Sequence, residues 1–209
     1  MVKTENLTFK YDKNQTVFEF PDIDLQKQEN LLVLGKSGVG KTTFLHLLAG
    51  LLKPNSGNIL FNENSLNELS SQKLDTFRGQ NIGLVFQNNH AIRSLTVFEN
   101  LKARLYFSKK PIDVKAIDDL LSELGLIELK NRKINELSEG QLQRLGIGMA
   151  VIHNPGLILA DEPTSSLDDD NCAKVIELLL NQAKSNNANL IVITHDGRVK
   201  PYFQNSMTL

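Results

Sequence analysis

Residues 35–42 read GKSGVGKT and lie between an apolar run at 31–34 and a segment rich in helix formers at 41–52. The stretch matches the pattern GxxxxGK[ST] in full, and a strand before it with a helix after it is the context that the pattern requires. Its glycines let backbone N–H groups surround phosphate oxygens, and the N-terminus of the following helix adds the positive end of its dipole. The sequence therefore predicts a nucleotide site in which Lys41 contacts the β and γ phosphates and Thr42 offers a hydroxyl to Mg²⁺.

A second apolar run, at 157–160, ends on the adjacent carboxylates Asp161 and Glu162. Ligands of open parallel sheets bind beyond the carboxyl ends of the strands, so we expect both carboxylates beside the phosphate loop. Asp161 is predicted to hold Mg²⁺ through its water shell, and Glu162 to orient and polarise the attacking water near the γ-phosphate. An apolar run that ends in two carboxylates often has only a structural role. The phosphate loop nearby is what favours a role in chemistry for this one.

Composition excludes several classes of protein. The 209 residues include 23 Lys and Arg against 24 Asp and Glu, so the net charge of −1 does not indicate a nucleic-acid binder or a polybasic membrane anchor. The single cysteine, Cys172, forms no internal disulfide or multi-thiolate zinc site and favours a reducing compartment. The longest uncharged stretch, at 145–160, is shorter than the roughly 20 apolar residues that span a bilayer. With no signal-like N-terminus either, the sequence predicts a cytoplasmic protein without a membrane span.

Hydrophobic periodicity predicts an α/β fold in one domain, residues 1–209. Alternation at 2–9 and 17–25, with a turn at 11–14, predicts a small antiparallel β-layer. Apolar strands at 82–86, 157–160 and 190–194, with a helical pattern at 167–183, predict parallel βαβ units. Residues 97–150 have only helical texture, so we expect an inserted helical lobe there, with 1–96 and 151–209 forming the β-layer and the parallel-sheet core.

Further segments extend this pattern into a family resemblance. They are LSEGQLQR at 137–144, VFQ at 85–87, SSLD at 165–168, ITHD at 193–196 and Tyr11. In this order they resemble the signature, glutamine loop, D-loop, switch-histidine segment and adenine-stacking aromatic of the nucleotide-binding domain of ATP-binding cassette (ABC) transporters. The resemblance covers nearly the whole chain, and it implies a P-loop NTPase fold with a RecA-like core, ATP as the substrate and Mg²⁺ as the cofactor.

The resemblance also implies a role for each matching residue. The catalytic residues that it implies are Glu162, His195, Lys41 and Gln87. The metal-binding residues that it implies are Thr42, Gln87 and Asp161. The nucleotide-binding residues that it implies are Tyr11, Gly35, Lys36, Ser37, Gly38, Val39, Gly40, Lys41, Thr42, Thr43, Ser138, Gly140, Gln141 and Asp168.

Simpler interpretations stay open for some of these side chains. Gln87 could be a polar surface residue, and a lone histidine such as His195 is more often a satisfied core residue. Phe9 competes with Tyr11 for the stacking position. Glu139 stands where the family most often has glycine, so the signature departs from its usual form there.

In the family, two domains face each other so that the phosphate loop of one and the signature of the other enclose each ATP. The resemblance therefore implies a homodimer formed on ATP binding, with Ser138 and Gly140 acting on the partner's nucleotide. It also implies an integral membrane permease on a separate chain, contacted near Gln87 and the helical lobe, no nucleic-acid partner, and a position on the inner face of the membrane. Residues 74–101 most resemble ATPases of the lipoprotein-release, macrolide-export and cell-division group.

Other functions fit the sequence less well. A soluble ABC protein of translation would normally fuse two such domains, and a DNA-repair ATPase would insert a long coiled coil, so neither fits 209 residues. A GTPase is disfavoured because no Asn-Lys-x-Asp segment is present. A catalytically idle cassette stays open, although Lys41, Asp161, Glu162 and His195 are all in place.

Overall fold

The computed structural model describes residues 1–12, 16–62, 64–87, 90–165 and 167–209. The strands are β1 (Val2–Phe9), β2 (Phe18–Glu19), β3 (Asp24–Leu25), β4 (Asn30–Leu34), β5 (Ser56–Phe61), β6 (Asn64–Ser65), β7 (Ile82–Val85), β8 (Leu157–Asp161), β9 (Asn189–Thr194) and β10 (Asn205–Thr208). The α-helices are α1 (Lys41–Leu48), α2 (Ser71–Asn81), α3 (Val97–Phe107), α4 (Val114–Glu123), α5 (Glu139–Val151) and α6 (Asp169–Ser185). Short 3₁₀ turns occupy Leu66–Glu68, Ile127–Leu129, Ile134–Glu136 and Gly197–Tyr202.

The first sheet is the predicted antiparallel layer. Its order is β2-β1-β5-β6, and β3 also pairs with β1. In β1, Val2 and Thr4 are buried and then Leu7 and Phe9, so the period of two holds on each side of a register irregularity between Glu5 and Thr8. The single strand expected at 17–25 was wrong, because Pro21 lacks the N–H that a continuous ladder needs and the segment forms two short strands. Of the expected turn at 11–14, Lys13 and Asn14 lie outside the described residues.

The second sheet is parallel and brings the predicted site segments to one edge. Its order is β10-β4-β9-β8-β7, and every described pairing in it is parallel. Leu34 at the end of β4 pairs with Thr194 of β9, and Asp161 at the end of β8 pairs with Ile193. The phosphate loop, the switch histidine and the two carboxylates therefore emerge from neighbouring strands at the same edge.

Between β7 and β8 the chain is helical, and the described residues there form no strand, apart from one isolated bridge between Thr96 and Lys133. The buried side chains of α3, α4 and α5 belong to one cluster with those of α6 and one face of the parallel sheet. Helix α5 lies directly on β7, where a Cβ on Gly83 would collide with the carbonyl oxygen of Ala150. The helical insertion agrees with the prediction, whereas its limits at 97 and 150 stay a prediction.

Several element boundaries differ from the sequence-based expectation. Helix α1 ends at Leu48, not at residue 52, because Gly50 adopts a φ of 64° and closes the helix in the left-handed region. Helix α2 had no apolar periodicity to reveal it, and none of its residues, all of which the structure describes, is buried. The edge strand β10 follows His195 along the chain and pairs with β4. Within the described residues, every helix is too short or too polar to span a bilayer.

Candidate active site

The loop at 35–40 runs from the end of β4 to the first residue of α1 and has the shape that its glycines predict. Gly38 has a φ of 85°, and Gly40, the N-cap residue of α1, has a φ of 102°. A side chain at Gly40 would also meet the ring of Phe18, since a Cβ there would lie 2.8 Å from Phe18 Cδ1. Both features explain why the loop requires glycine at these positions.

Lys41 is the cation of this loop and is almost fully buried, with 6% of its surface exposed. Its Nζ donates hydrogen bonds to the carbonyl oxygens of Gly35 at 2.8 Å and Lys36 at 3.1 Å. The same Nζ lies 3.4 Å from Glu162 Oε1. The first two carbonyl groups of the loop thus hold a desolvated ammonium group, whose attraction for phosphate is stronger than in water.

Glu162 is held by the residues that end β9. Its carboxylate accepts hydrogen bonds from Thr194 Oγ1 at 2.7 Å, from His195 Nδ1 at 2.9 Å and from His195 N at 3.3 Å. Burial pushes the pKa of Glu162 upward, but the hydrogen bonds from His195 and Thr194 outweigh it, so the pKa lies below its usual value. The carboxylate is therefore ionised at neutral pH, as a base must be. Its backbone φ is 47°, in the left-handed region.

Asp161 offers an oxygen that fits a hard cation. The side chain is buried, and among the described residues its Oδ1 has no hydrogen-bond partner. Burial raises the pKa of Asp161, and a hydrogen bond with Thr42 acts in the opposite direction. An orphaned carboxylate oxygen next to a hydroxyl is the donor set that Mg²⁺ takes from protein when phosphate and water supply its other ligands. No cluster of three or more His, Cys, Asp or Glu side chains suited to a metal occurs in the described ranges.

Lys41 and Glu162 line a cleft of about 470 Å³, whereas the buried Asp161 is not among its lining residues. Its lining residues are Tyr11, Phe18, Ser37, Gly38, Gly40, Lys41, Thr42, Thr43, Gln87, Glu162 and His195. The structure thus brings most of the predicted phosphate, metal and catalytic residues into one concave site. Phe18 is an addition that the sequence did not indicate, because it is one of several phenylalanines in an alternating segment.

Tyr11 lies at the cleft with 57% of its surface exposed. Its hydroxyl forms a 2.8 Å hydrogen bond with Thr43 Oγ1, and its ring stands perpendicular to that of Phe9 with centroids 4.8 Å apart. Phe9 is 7% exposed and so has no free face for a base. Of the two aromatics considered from the sequence, Tyr11 is therefore the one available to stack on adenine.

Gln87 and the D-loop segment lie beside each other. Gln87 Nε2 donates to Ser165 Oγ at 3.2 Å, and Ser166, part of the predicted D-loop, lies outside the described residues. Asp168 caps α6 by accepting hydrogen bonds from Asn171 N at 2.8 Å and Asn171 Nδ2 at 3.0 Å. Asp168 is exposed and does not line the cleft. The structure therefore does not bring Asp168 to a nucleotide bound in the cleft of its own chain.

The signature segment forms the N-terminus of α5. Ser138 Oγ accepts a hydrogen bond from Gln141 N at 3.4 Å, and Gln141 Oε1 accepts one from Ser138 N at 2.8 Å, which is a capping box. Ser138 and Glu139 are exposed, and a Cβ on Gly140 would meet nothing within 4 Å. None of the described residues that line the cleft belongs to this helix. The helix end is therefore open to a ligand from outside the chain.

Thr194 contacts the predicted base Glu162, although the sequence analysis gave it no role. It is fully buried, and it donates to Glu162 and accepts a hydrogen bond from Asp196 N at 3.0 Å. The available signal was a hydroxyl residue at the end of an apolar strand, directly before a candidate histidine.

Comparisons with known proteins agree with this geometry. The family model described as ABC transporter matches residues 20–165. The lipoprotein-releasing system ATP-binding protein LolD of Buchnera aphidicola subsp. Acyrthosiphon pisum is 37% identical over 201 residues, 94% of this chain and 88% of the relative. The ABC transporter ATP-binding protein YxdL of Bacillus subtilis is 35% identical over 197 residues, 93% of this chain and 77% of the relative.

Solved structures give the same result. One is the ATP-binding cassette MJ0796 in a dimeric post-hydrolysis state, bound to ADP and Pi. It superposes with a TM-score of 0.88 at 31% sequence identity, and the match covers 100% of this chain and 94% of the MJ0796 chain. The cbiO1 protein of Clostridium perfringens, part of the transporter complex cbiONQ, superposes with a TM-score of 0.88 at 30% identity, covering 99% and 83%. The chain therefore belongs to the ABC transporter family, as an ATP-binding subunit that hydrolyses ATP.

Proposed function

We propose that this chain works as a homodimer that closes on two Mg-ATP and thereby drives a membrane permease carried by a separate chain. One observation carries the proposal. The open N-terminus of α5, with Ser138 and Gly140, lies outside the cleft that contains Lys41 and Glu162 of the same chain. The N-terminus of a helix attracts anions through its backbone N–H groups and its dipole, so a second copy placed head to tail would complete each cleft.

In the complete site, the residues of this chain divide the work of in-line attack by water. Lys41 and the loop amides neutralise the phosphate oxygens, and Glu162 accepts a hydrogen bond from the attacking water and takes up its proton. His195 keeps Glu162 oriented through the 2.9 Å contact of Nδ1 and contacts the γ-phosphate. Asp161, Thr42 and Gln87 would hold Mg²⁺, which supplies charge neutralisation at the β and γ phosphates when bound. Tyr11 stacks on adenine.

A groove of about 560 Å³ next to the cleft is where we place the permease. Its walls come from α2, α3, α5 and the end of β7, and Gln87 and Glu162 line both the groove and the cleft. Phe107, at the rim, and Tyr106 beside it are each 70% exposed, which favours an apolar partner surface. Contact there would place the chain on the inner face of the membrane. By analogy with LolD, we assign the transporter to the group that releases lipoproteins or transmits force across the membrane.

The dimer is tested with Glu162→Gln, which keeps the size of the side chain but removes the base, so that ATP binds and persists. General-base removal costs about 10²- to 10⁴-fold in rate. This variant should elute as a dimer with MgATP and as a monomer with MgADP in size-exclusion chromatography. Adding Ser138→Arg should abolish the dimer while ATP binding survives, because the new side chain fills the place of the partner's γ-phosphate.

The matched control is Ser122→Arg, since Ser122 is also an exposed helical serine of the insertion but belongs to α4 and not to the N-terminus of α5. An ATP-independent dimer, or one that tolerates Ser138→Arg as well as Ser122→Arg, would contradict the composite site. For the permease, affinity capture from membranes should co-purify an integral membrane protein with the wild type. Phe107→Asp should reduce that yield, and Val114→Asp, an exposed apolar residue that does not line the groove, should not.

A further inference from the structure

Arg198 joins two segments that are distant in the sequence. It lies in the turn Gly197–Tyr202, and its Nε donates to both carboxylate oxygens of Asp196, at 2.9 and 3.1 Å, while Nη2 donates to Asp196 Oδ2 at 2.8 Å. On its other side, Nη1 donates to Asp169 Oδ1 at 2.5 Å, and Nη2 donates to the carbonyl oxygen of Leu167 at 3.2 Å. One guanidinium therefore ties the segment after β9 to the start of α6.

Both segments carry residues of the site. Asp196 directly follows His195, and Leu167 and Asp169, the two residues that Arg198 contacts in the other segment, flank Asp168 on either side. Asp196 is itself anchored, because its carboxylate accepts a hydrogen bond from Thr164 Oγ1 at 3.0 Å and its N–H donates to Thr194 Oγ1 at 3.0 Å. A continuous chain of hydrogen bonds therefore runs from the hydroxyl that holds the catalytic carboxylate to the D-loop.

The geometry requires arginine. A planar guanidinium presents donors in several fixed directions, whereas an ammonium is a point charge that cannot bind a carboxylate side-on and reach a second segment at once. The Asp196 side chain is 10% exposed and the Asp169 side chain is 87% exposed. The contact with Asp169 is thus a surface ion pair, which adds little to stability.

We propose that Arg198 is a positioning residue of the ATPase, which fixes the segment bearing His195 to the segment bearing Asp168 so that both take one relative position during hydrolysis. Arg198 does not line the cleft and acts only through these neighbours. The inference rests on the assignment of His195 and Asp168 to the site, and it does not depend on the identity of the permease.

The test compares Arg198→Ala, Arg198→Lys and Asp169→Ala with the wild type in the full chain, by kcat and KM for ATP and by melting temperature. We expect kcat to fall about 10- to 100-fold in Arg198→Ala, because misplacing a catalytic group costs this much, while KM stays within about twofold. Arg198→Lys should restore only part of kcat. Asp169→Ala should lower kcat without lowering the melting temperature by more than about 4 °C.

A double variant separates bridging from simple neutralisation of Asp196. If the bridge matters, Arg198→Ala combined with Asp169→Ala should have the kcat of Arg198→Ala alone. Arg132→Ala is the matched control, since Arg132 forms a comparable 3.0 Å pair with Glu136 away from the cleft, and its kcat should be that of the wild type.

Three results would overturn the proposal: a wild-type kcat in Arg198→Ala, full recovery in Arg198→Lys together with a silent Asp169→Ala, or a loss of kcat that only follows the melting temperature. His195→Ala, measured alongside, keeps the premise separate. A wild-type rate in that variant would contradict the site assignment, and not the bridge itself.

Discussion

Replacing Thr194 with valine removes one hydroxyl from the centre of the site and keeps nearly the same side-chain shape. That hydroxyl donates to Glu162 Oε2 at 2.7 Å, the shortest of the hydrogen bonds that the carboxylate accepts from the described residues, and it also accepts from Asp196 N. In Thr194→Val, the contacts that remain to the carboxylate from the described residues are the two donors of His195 and the ion pair with Lys41, and the Asp196 N–H loses its acceptor. Both losses occur next to a fully buried position.

The magnitude follows from the charge on the acceptor. A hydrogen bond to a charged group contributes about 1.5–3 kcal/mol, so the free energy of unfolding should fall by about this amount. For a chain of this size, the melting temperature should drop by about 3–12 °C. Because Glu162 is then free to turn away from the attacking water, kcat should fall about 10- to 100-fold, whereas KM for ATP should change little.

The assay is steady-state ATP hydrolysis with a thermal melt on the same samples. Thr194→Ser is the control, since it keeps the hydroxyl and should retain kcat within a few fold. In a Glu162→Ala background, adding Thr194→Val should lower the residual rate no further, because the hydroxyl acts through the carboxylate. A valine variant as fast as the serine variant, or a further loss in the Glu162→Ala background, would refute this role.

Other predictions concern nucleotide affinity and acid stability. Lys41→Ala removes the buried cation of the phosphate loop, and calorimetry should show ATP affinity lower by at least ~10-fold, about 1.4 kcal/mol, with unchanged affinity contradicting the assignment. Tyr11→Ala should cost about 1–3 kcal/mol of ATP binding free energy, seen as a higher KM with kcat retained, and an effect in Phe18→Ala alone would make Phe18 the stacking residue. Burial, with the neighbouring Arg104, lowers the pKa of His153 to about 3, so the folded chain keeps this imidazole neutral while the unfolded chain protonates it below about pH 6.5. The free energy of unfolding should therefore fall between about pH 6.5 and 3, by up to about 1.4 kcal/mol per pH unit. Urea titrations should show a smaller pH slope in His153→Gln, and equal slopes would contradict the explanation.

The parts of the site that local chemistry determines were predictable from the sequence. The phosphate loop needs glycine at fixed positions, and a strand that ends in two carboxylates beside it has few other uses, so Lys41, Asp161 and Glu162 could be assigned from their neighbours along the chain. Tyr11 could be proposed but not separated from Phe9, because only the three-dimensional structure shows which ring is exposed.

The parts that depend on distant contacts were not predictable in the same way. Arg198 meets Asp169 across 29 positions of sequence, and nothing local distinguishes it from a solvated surface arginine. No residue of α2 is fully buried, and its contact with the core comes from Leu74 and Phe77, which are too few to give the sequence an apolar stripe with a period of 3.6. The sequence predicts that Gln141 binds nucleotide. The structure shows that its side chain completes the cap of α5, a contact that the sequence analysis did not include.

Glu162 has a left-handed backbone conformation, which lowers the stability of the fold at the position whose carboxylate hydrolysis requires. A residue with a Cβ pays roughly 1–2 kcal/mol to adopt a φ near 47°, and the hydrogen bond from Glu162 N to Ile193 O holds the chain in that conformation. Glycine would relieve this cost but could not act on water. Among variants that lack the carboxylate, Glu162→Gly should therefore have a higher melting temperature than Glu162→Ala. Variants with a β-branched residue at position 162 should have a lower melting temperature than both. Stability alone would therefore favour glycine at position 162, whereas hydrolysis requires a carboxylate there.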